Sequence, residues 1–386
     1  MSLPLSLPLP LPLPLDGIRI LAVEQYGAGP FGSMHLADLG AEVIKIEPPG
    51  GGDVSRATGP HFLGEHDSQF FQTFNRNKES VVLDLKSAAG RADFHDLVAG
   101  SDAVLNNLRG DQPAKLGLTH ADLAPRNPRI VCAHLSAYGR DNERASWPGY
   151  DYLMQAEAGF MHLTGEPDGP PTRMGLSIVD YMSGVTLATG LLAALIGALK
   201  TGRGRDVDVS LFDVALFQLT YPATWQLNGG HTTTRQARSA HPATVPCQLF
   251  ATADGHVFVM CMTDKFWQLL VEEIDDPALR DPRFGSPAGR REHKAELIAL
   301  LDARFARRST KQWLAALNGR IPISPVLDLR AAMANPHVHS VGMVQALPHP
   351  SDAGFRVLAN PIKLDGRRLA GAACSALGAD NDRLLR

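Results

Sequence analysis

The sequence predicts an α/β protein: a large domain on a largely parallel sheet, joined to a smaller α+β domain. Two observations point there. Short β-branched runs alternate with helical stretches from residue 18 to about residue 135, the spacing of strand–helix–strand units. From about residue 220 the texture changes to a polar loop, a hairpin and a run of helices. With 386 residues, 44% hydrophobic and 20% charged, the chain can fill two such cores and lacks the composition of a disordered polymer.

Taken in order, 18–23 (IRILAV) reads as the first strand, followed by a Gly-rich turn from Gly27 and a helix over 33–40. Segments 43–46, 81–85, 103–105 and 129–135 read as further strands, and 88–97 as a helix. Residues 181–200 form a long, nearly all-apolar helix, expected to be buried in the core or in a dimer. Its Ser183 and Thr186 fit burial better than a membrane span. Beyond a polar loop at 228–246, QLFATADGHVFVMC reads as a hairpin turning at Asp254-Gly255. Helices are expected at 265–274, 291–307 and 310–318, then short strands and turns. The large domain is therefore expected over 16–224 and 326–386, and the small one over 225–325.

Residues 3–15 (LPLSLPLPLPLPL) have proline at almost every second position. That breaks the continuous helical core of a secretory signal, so 1–15 are expected to be an extended tail outside the fold. Lys plus Arg is 37 and Asp plus Glu 40, a net charge of 37 − 40 = −3, which argues against a nucleic-acid binder. No membrane partner is expected. Cys132, Cys247, Cys261 and Cys374 form no C-x-x-C pair. Neither a disulfide scaffold nor a metal site is expected, and a cytoplasmic location fits.

Two features carry chemistry. Gly27, Gly29 and Gly32 match G-x-G-x-x-G between a strand and a helix, and Glu47 ends the next strand 20 residues after Gly27. That is the layout of a dinucleotide site with its ribose-binding acid. The continuation Pro48-Pro49-Gly50 and the donor lost at Pro30 weigh against a nicotinamide cofactor. A packing turn, or a turn facing another nucleotide-bearing ligand, fits better. The second feature is Asp180, which follows an apolar run at the start of the long helix. Such a residue is most often a helix cap, and the helix dipole is expected to hold it ionised.

Several blocks read together: AGPFGSMHLADLGAEVIKIEPPGGGD (28–53), FNRNKESVVLDLK (74–86), DAVLNNLRGDQPAKLGL (102–118) and GYDYLMQAEAGFMHLTGEPDGPPTRMGLSIVDYMSG (149–184). KTGRGRDVDVSLFDVAL (200–216), FATADGHVFV (250–259) and IPISPVLDLRAAMANPHV (321–338) continue the series. The chain resembles the class III coenzyme A transferases, the family of formyl-CoA transferase, carnitine CoA-transferase and α-methylacyl-CoA racemase, from about residue 16 to 365. The resemblance implies a large Rossmann-like domain, a small domain and an interlocked homodimer. It implies CoA as a substrate, with a small carboxylic acid as the other, and no tightly bound cofactor.

The resemblance makes Asp180 the nucleophile, which takes an acyl group as an anhydride and then CoA as a thioester. Gln25, Gly27, Ala28, Gly29, Tyr150 and Asp151 are then expected to support the active site. Gly27 stands where formyl-CoA transferase has a glutamine, so that role is missing or is taken over by Gln25. For CoA, the resemblance implies Asn75, Arg76, Asn77, Lys78, Asn106, Asn107, Leu108, Arg109 and Lys115. The basic residue expected after K-I-E is replaced by Pro48-Pro49. In the racemase branch a histidine and an aspartate 30 residues later act as acid and base; here Tyr150 replaces the histidine, and the supporting glutamate aligns near Thr263. A tyrosine of ordinary pKa, about 10, is a poor proton shuttle, so transfer is expected rather than racemisation. The loop 235–246 lacks the glycines of formyl-CoA transferase, which disfavours formate and oxalate. Arg173, Arg235, Arg238 and His241 are candidates for a second substrate carboxylate, with succinyl-CoA as donor, unless they only hold loops.

Overall fold

The computed structural model describes residues 11–385. They divide into two compact units: the first takes the chain up to Ala158, Gly175–Thr220 and the chain from His337, and the second takes Gly159–Met174 and Tyr221–Pro336. The expected boundaries differ at three places, 159–174, 221–224 and 326–336, all of which fall in the second unit. Segment 159–174 belongs to the second unit because Arg235 Nη1 donates to the Gly169 and Pro170 carbonyls and the Glu166 carboxylate accepts the Arg238 N–H. Segment 326–336 belongs there too, starting with Val326 N–H on the His256 carbonyl. No periodicity marks these junctions in the sequence. Of the expected tail, residues 1–10 lie outside the described residues. Residue 15 is part of the fold, since Leu15 N–H donates to the Leu39 carbonyl at 3.1 Å.

The first unit is built on strands β1 (Arg19–Val23), β2 (Glu42–Glu47), β3 (Lys78–Val82), β4 (Ala103–Asn106), β5 (Val131–Ser136) and β6 (Asp206–Ser210). They pair in the order β3-β2-β1-β4-β5-β6, all parallel. Sheet order therefore reverses direction between β1 and β4, and such a switch point leaves a crevice at the carboxyl ends of the strands. The connecting helices are α1 (Ala28–Asp38), α2 (Gln69–Asn75), α3 (Ala88–Ala99), α4 (Asp151–Glu157), α5 (Ile178–Thr201) and α6 (Leu211–Gln218). β3 lies three residues before its expected span because the buried, paired side chains of Lys78 and Ser80 make polar positions internal. β6 is not among the expected strands, although its D-V-D-V-S run alternates valine with polar residues.

Helix α1 starts at Ala28, five residues before its expected start, so the glycine motif is its first turns rather than a loop before it. The reason is its crossing with α5. A Cβ on Gly32 would lie 2.4 Å from the Gly184 carbonyl oxygen, and one on Gly184 would lie 2.4 Å from that of Ala28. Only glycine at both positions lets the two backbones touch. α5 buries Val179, Leu187, Leu191 and Leu195 against the sheet side but leaves Val185, Ile196 and Leu199 exposed. It is thus half-buried within the described chain, not wholly internal.

The second unit holds β7 (Cys247–Ala251), β8 (His256–Met260) and β9 (Ile323–Pro325) as an antiparallel sheet, with α7 (Asp264–Ile274), α8 (Pro287–Glu292), α9 (Lys294–Phe305) and α10 (Thr310–Leu317). Phe250, Phe305, Trp267 and Trp313 fill its core, with the Phe250 and Phe305 rings stacked at 4.7 Å. Two expectations shift here. The single helix over 291–307 is two helices meeting at His293, and the hairpin turns at Ala253-Asp254, since Thr252 N–H bonds the Gly255 carbonyl. Asp254 instead accepts Thr310 N–H at 2.7 Å, tying the turn to α10.

Gly184→Ala is expected to lower stability by about 2–3 kcal/mol, the cost of overpacking a close backbone crossing. Urea unfolding of the purified variant checks it, and an unchanged midpoint would contradict so close a crossing.

Candidate active site

The first unit has a cleft of about 640 Å³ at the carboxyl ends of β1, β4 and β5. The chain after β1 gives it Gln25, Tyr26, Gly27 and Ala28, and the chain after β4 gives Asn107, Leu108 and Arg109. Leu135, Ser136 and Ala137 come from the end of β5, with Pro148, Gly149 and Tyr150 before α4. Asp180 enters from the first turn of α5. A Cβ on Gly27 would stand 3.2 Å from Asp180 Oδ2, so the absent side chain is what admits the carboxylate. Asn107 clamps the turn, accepting Gln25 N–H at 2.9 Å and donating to the Gln25 carbonyl at 2.7 Å.

The electrostatics of Asp180 differ from the expectation. Ser177, at the N-cap of α5, makes no side-chain cap. Asp151 takes that place from α4: its Oδ2 accepts Val179 N–H at 2.6 Å and Asp180 N–H at 3.0 Å. Gln155 Nε2 donates to its other oxygen at 2.6 Å. The helix dipole therefore serves Asp151, not Asp180. Burial, with the Asp151 charge adding to it, pushes the Asp180 carboxyl from 3.8 up to about 7. A carboxylate poised near neutrality in a cleft is a candidate reacting group.

Beneath the first turn lies a buried set of charges. Lys45 Nζ sits 2.8 Å from Asp53 Oδ2, and Lys78 Nζ sits 2.7 Å from Glu24 Oε1. Glu24 also accepts the Ser33 hydroxyl at 2.6 Å. Asp53 in turn accepts Tyr26 N–H at 3.0 Å, which holds Tyr26 in the left-handed region at φ 69°. Burial pulls the Lys45 ammonium down, but Asp53, Glu24 and Glu47 outweigh it and raise its pKa; for Lys78 burial wins and lowers it to about 8. Breaking such a pair leaves an uncompensated buried charge, which costs far more than the intact pair contributes.

This set corrects several expected roles. Asn75 and Lys78 are fully buried and bonded to each other at 3.0 Å. Arg76 makes a bidentate contact with Asp38, and Asn77 bonds Asp38 and the Ala372 backbone. These four hold the chain together and do not line the cleft. Asn106 is buried against His134, Gly29 packs on Asn107, and Lys115 pairs with Asp111 at 2.5 Å. Glu47, the apparent ribose acid, is saturated by Arg56, Ser80 and the Asp53 N–H. That removes the nicotinamide reading. Of the expected residues, the cleft gathers Gln25, Gly27, Ala28, Asn107, Leu108, Arg109, Tyr150 and Asp180.

Arg173, Arg235, Arg238 and His241 all lie in the second unit. Arg235 holds the 169–170 backbone, Arg238 grips Asp302 bidentately, and His241 Nδ1 accepts the Ala243 and Thr244 N–H groups. Arg173 donates to the Met174 carbonyl. Their visible work is to hold loops.

Sequence reasoning missed Tyr26, Val54, Gln112 and the 135–137 strand end, which line the cleft. It also missed an apolar slot of about 170 Å³ lined by Pro48, Leu83, Leu85, Lys86, Leu108 and Leu116, which shares Gln25 and Leu108 with the cleft. The signal available was position for Tyr26, Pro48, Leu83 and the 135–137 run, which lie at a strand's carboxyl end or just beyond it, whereas Val54, Gln112 and Leu116 sit on short helical turns further on.

Comparison with known proteins fits this geometry. A family model described as CoA-transferase family III matches residues 15–381. The chain is 34% identical to acetyl-CoA:oxalate CoA-transferase of Acetobacter aceti, over 91% of this chain and 89% of that one. It is 33% identical to succinate–glutarate CoA-transferase of Agrobacterium fabrum, over 85% and 84%. Succinyl-CoA:mesaconate CoA-transferase of Haloarcula hispanica is also 33% identical, over 91% and 90%. Among solved structures, a CaiB/BaiF family protein from Brucella suis superposes with TM-score 0.84 at 29% identity, over 97% of this chain and 99% of that one.

The raised pKa of Asp180 has a consequence for stability. Between pH 3.8 and about 7 the folded chain keeps a proton that the unfolded chain has released. Stability therefore falls as pH rises through that window, and the loss is complete above it. Asp180→Asn is expected to be more stable than the parent by about 2–4 kcal/mol at pH 8 and nearly equal to it below pH 4. Urea unfolding at the two pH values checks this, and equal stability at pH 8 would refute the buried-charge reading.

Proposed function

Because the chain belongs to CoA-transferase family III and is an enzyme that moves coenzyme A between acids, we propose that Asp180 is its nucleophile. The observation that carries this is the Asp180 carboxylate at the floor of the cleft, against a turn with no side chain at Gly27. An Asp180 oxygen attacks the thioester carbonyl of the donor, and the C–S bond breaks to release CoA thiolate. The product is a mixed anhydride, which keeps the acyl group activated. The thiolate attacks Asp180 Cγ, the donor acid leaves with one Asp180 oxygen, and an aspartyl-CoA thioester remains. The acceptor carboxylate then attacks Cγ, the thiolate leaves, and its attack on the acceptor acyl carbon yields the new thioester and free Asp180.

The first N–H groups of α1, at Ala28 and Gly29, are candidates for the oxyanion donors, since a helix N-terminus favours developing negative charge. For CoA, the apolar slot beside Leu83 and Leu85 suits a flat base, with Lys86 and Arg109 supplying charge for phosphates. Succinyl-CoA as donor is supported by the name of the Haloarcula relative, and a five-carbon dicarboxylate as acceptor by the names of the Agrobacterium and Haloarcula relatives. The exposed apolar stripe Val185, Ile196 and Leu199 on α5 supports a homodimer. The four free, buried cysteines support a cytoplasmic setting, which cell fractionation tests.

Acceptor acid labelled with ¹⁸O is expected to pass one labelled oxygen through Asp180 to the released donor acid, read by mass spectrometry; no passage of label would exclude the anhydride route. Asp180→Asn should bind acyl-CoA but transfer nothing. Arg109→Ala and Lys86→Ala should raise KM for acyl-CoA about tenfold with kcat nearly unchanged. Sedimentation should give a dimer for the parent and a smaller species for Leu199→Glu; a monomeric parent would end the dimer proposal.

A further inference from the structure

We infer that Asp151 is a positioning residue that takes the hydrogen-bond donors at the start of α5 and leaves the Asp180 carboxylate bare beside a fixed negative charge. The inference rests on Asp180 being the nucleophile. Its observations are geometric. Asp151 is 3% exposed, and its two oxygens accept three N–H donors, two of them from the first turn of the helix that carries Asp180. Among the described residues, no hydrogen bond ends on the Asp180 carboxylate itself. The donors that a carboxylate at a helix start would ordinarily collect are thus already taken, from a residue 29 positions away.

The ionisable groups around Asp180 point the same way. α4 presents Asp151 and Tyr152, α5 presents Tyr181, and the cleft wall adds Tyr26, Tyr150 and Arg109. Arg109 is the one cation among the cleft-lining residues, and it leans on Asp111 at 3.4 Å. Burial first, and then Asp151, raise the Asp180 carboxyl. A carboxylate held by several N–H donors is weakly basic, and one without them is a better nucleophile. The charge also has a direction. When an Asp180 oxygen bonds to the thioester carbon, its negative charge moves to the departing thiolate, and the repulsion from Asp151 is relieved. Both covalent forms, anhydride and thioester, leave Asp180 neutral beside Asp151. The fixed charge thus disfavours the free enzyme relative to the transition state and both covalent intermediates, the sense required of a group that helps catalysis.

Asp151→Asn keeps an oxygen for the Val179 and Asp180 N–H groups and removes the charge. The midpoint of the acid limb of kcat/KM, expected near pH 7 in the parent, should fall by about one unit, with the plateau rate lowered about tenfold. A purely structural role would lower stability or rate and leave that midpoint where it was, which would overturn the inference. Should the variant fail to fold, ¹³C-carboxyl titration of the parent still tests the bare carboxylate: an Asp180 signal titrating below pH 5 overturns the inference. Asp180→Asn run alongside separates the two readings. If it still transfers CoA, the nucleophile assignment fails; if it is inactive and the Asp151→Asn midpoint is unmoved, only the role of Asp151 fails.

Discussion

The crossing of α1 and α5 at Gly32 and Gly184 sets everything else in the first unit. Two helices normally pack with their axes 8–10 Å apart because side chains stand between them. Here a Cβ on either glycine would fall 2.4 Å from a carbonyl oxygen. Asp180 lies one helical turn before Gly184, so the close crossing brings its carboxylate against the turn that ends β1. A looser crossing would leave the same residues in the sequence and no reacting group at the strand ends.

The turn it meets is held from below. Lys45, Asp53, Glu24 and Lys78 are all buried, and each is paired with or bonded to another member. Desolvating four charges is costly, and such clusters are weak sources of net stability. Their effect here is conformational: Asp53 fixes the Tyr26 N–H and with it a left-handed backbone at the lip of the cleft. The block N-R-N-K belongs to this layer. Its basic residues look like ligands in sequence because nothing local tells a buried cation from a solvated one. The partner that neutralises Lys78 is Glu24, 54 residues away.

One rigid layer and one exposed layer divide the site. Glycines and buried charges fix the backbone of the first turn. Above them Arg109, Tyr150 and Lys86 remain exposed, on loops that follow strand ends. Chemistry that stores an acyl group on a side chain needs the first to be stiff and the second to admit a long substrate. The cleft and the apolar slot adjoin at Gln25 and Leu108, which both share, and together offer such a substrate neighbouring recesses.

Local pattern alone made several things legible: the alternation of strand and helix, the long apolar helix, the glycine turn, and Asp180 at a helix start. Those come from periodicity and backbone propensity, which act over a few residues. The seven motif blocks added the family and its reaction. The tertiary structure alone decided which charges are ligands and which are struts, where the second unit takes back residues 159–174, and which carboxylate the α5 dipole serves. Asp151 and Asp180 are equally acidic as letters. The aim of two N–H groups separates them, and it depends on chain segments that meet only when the protein has folded.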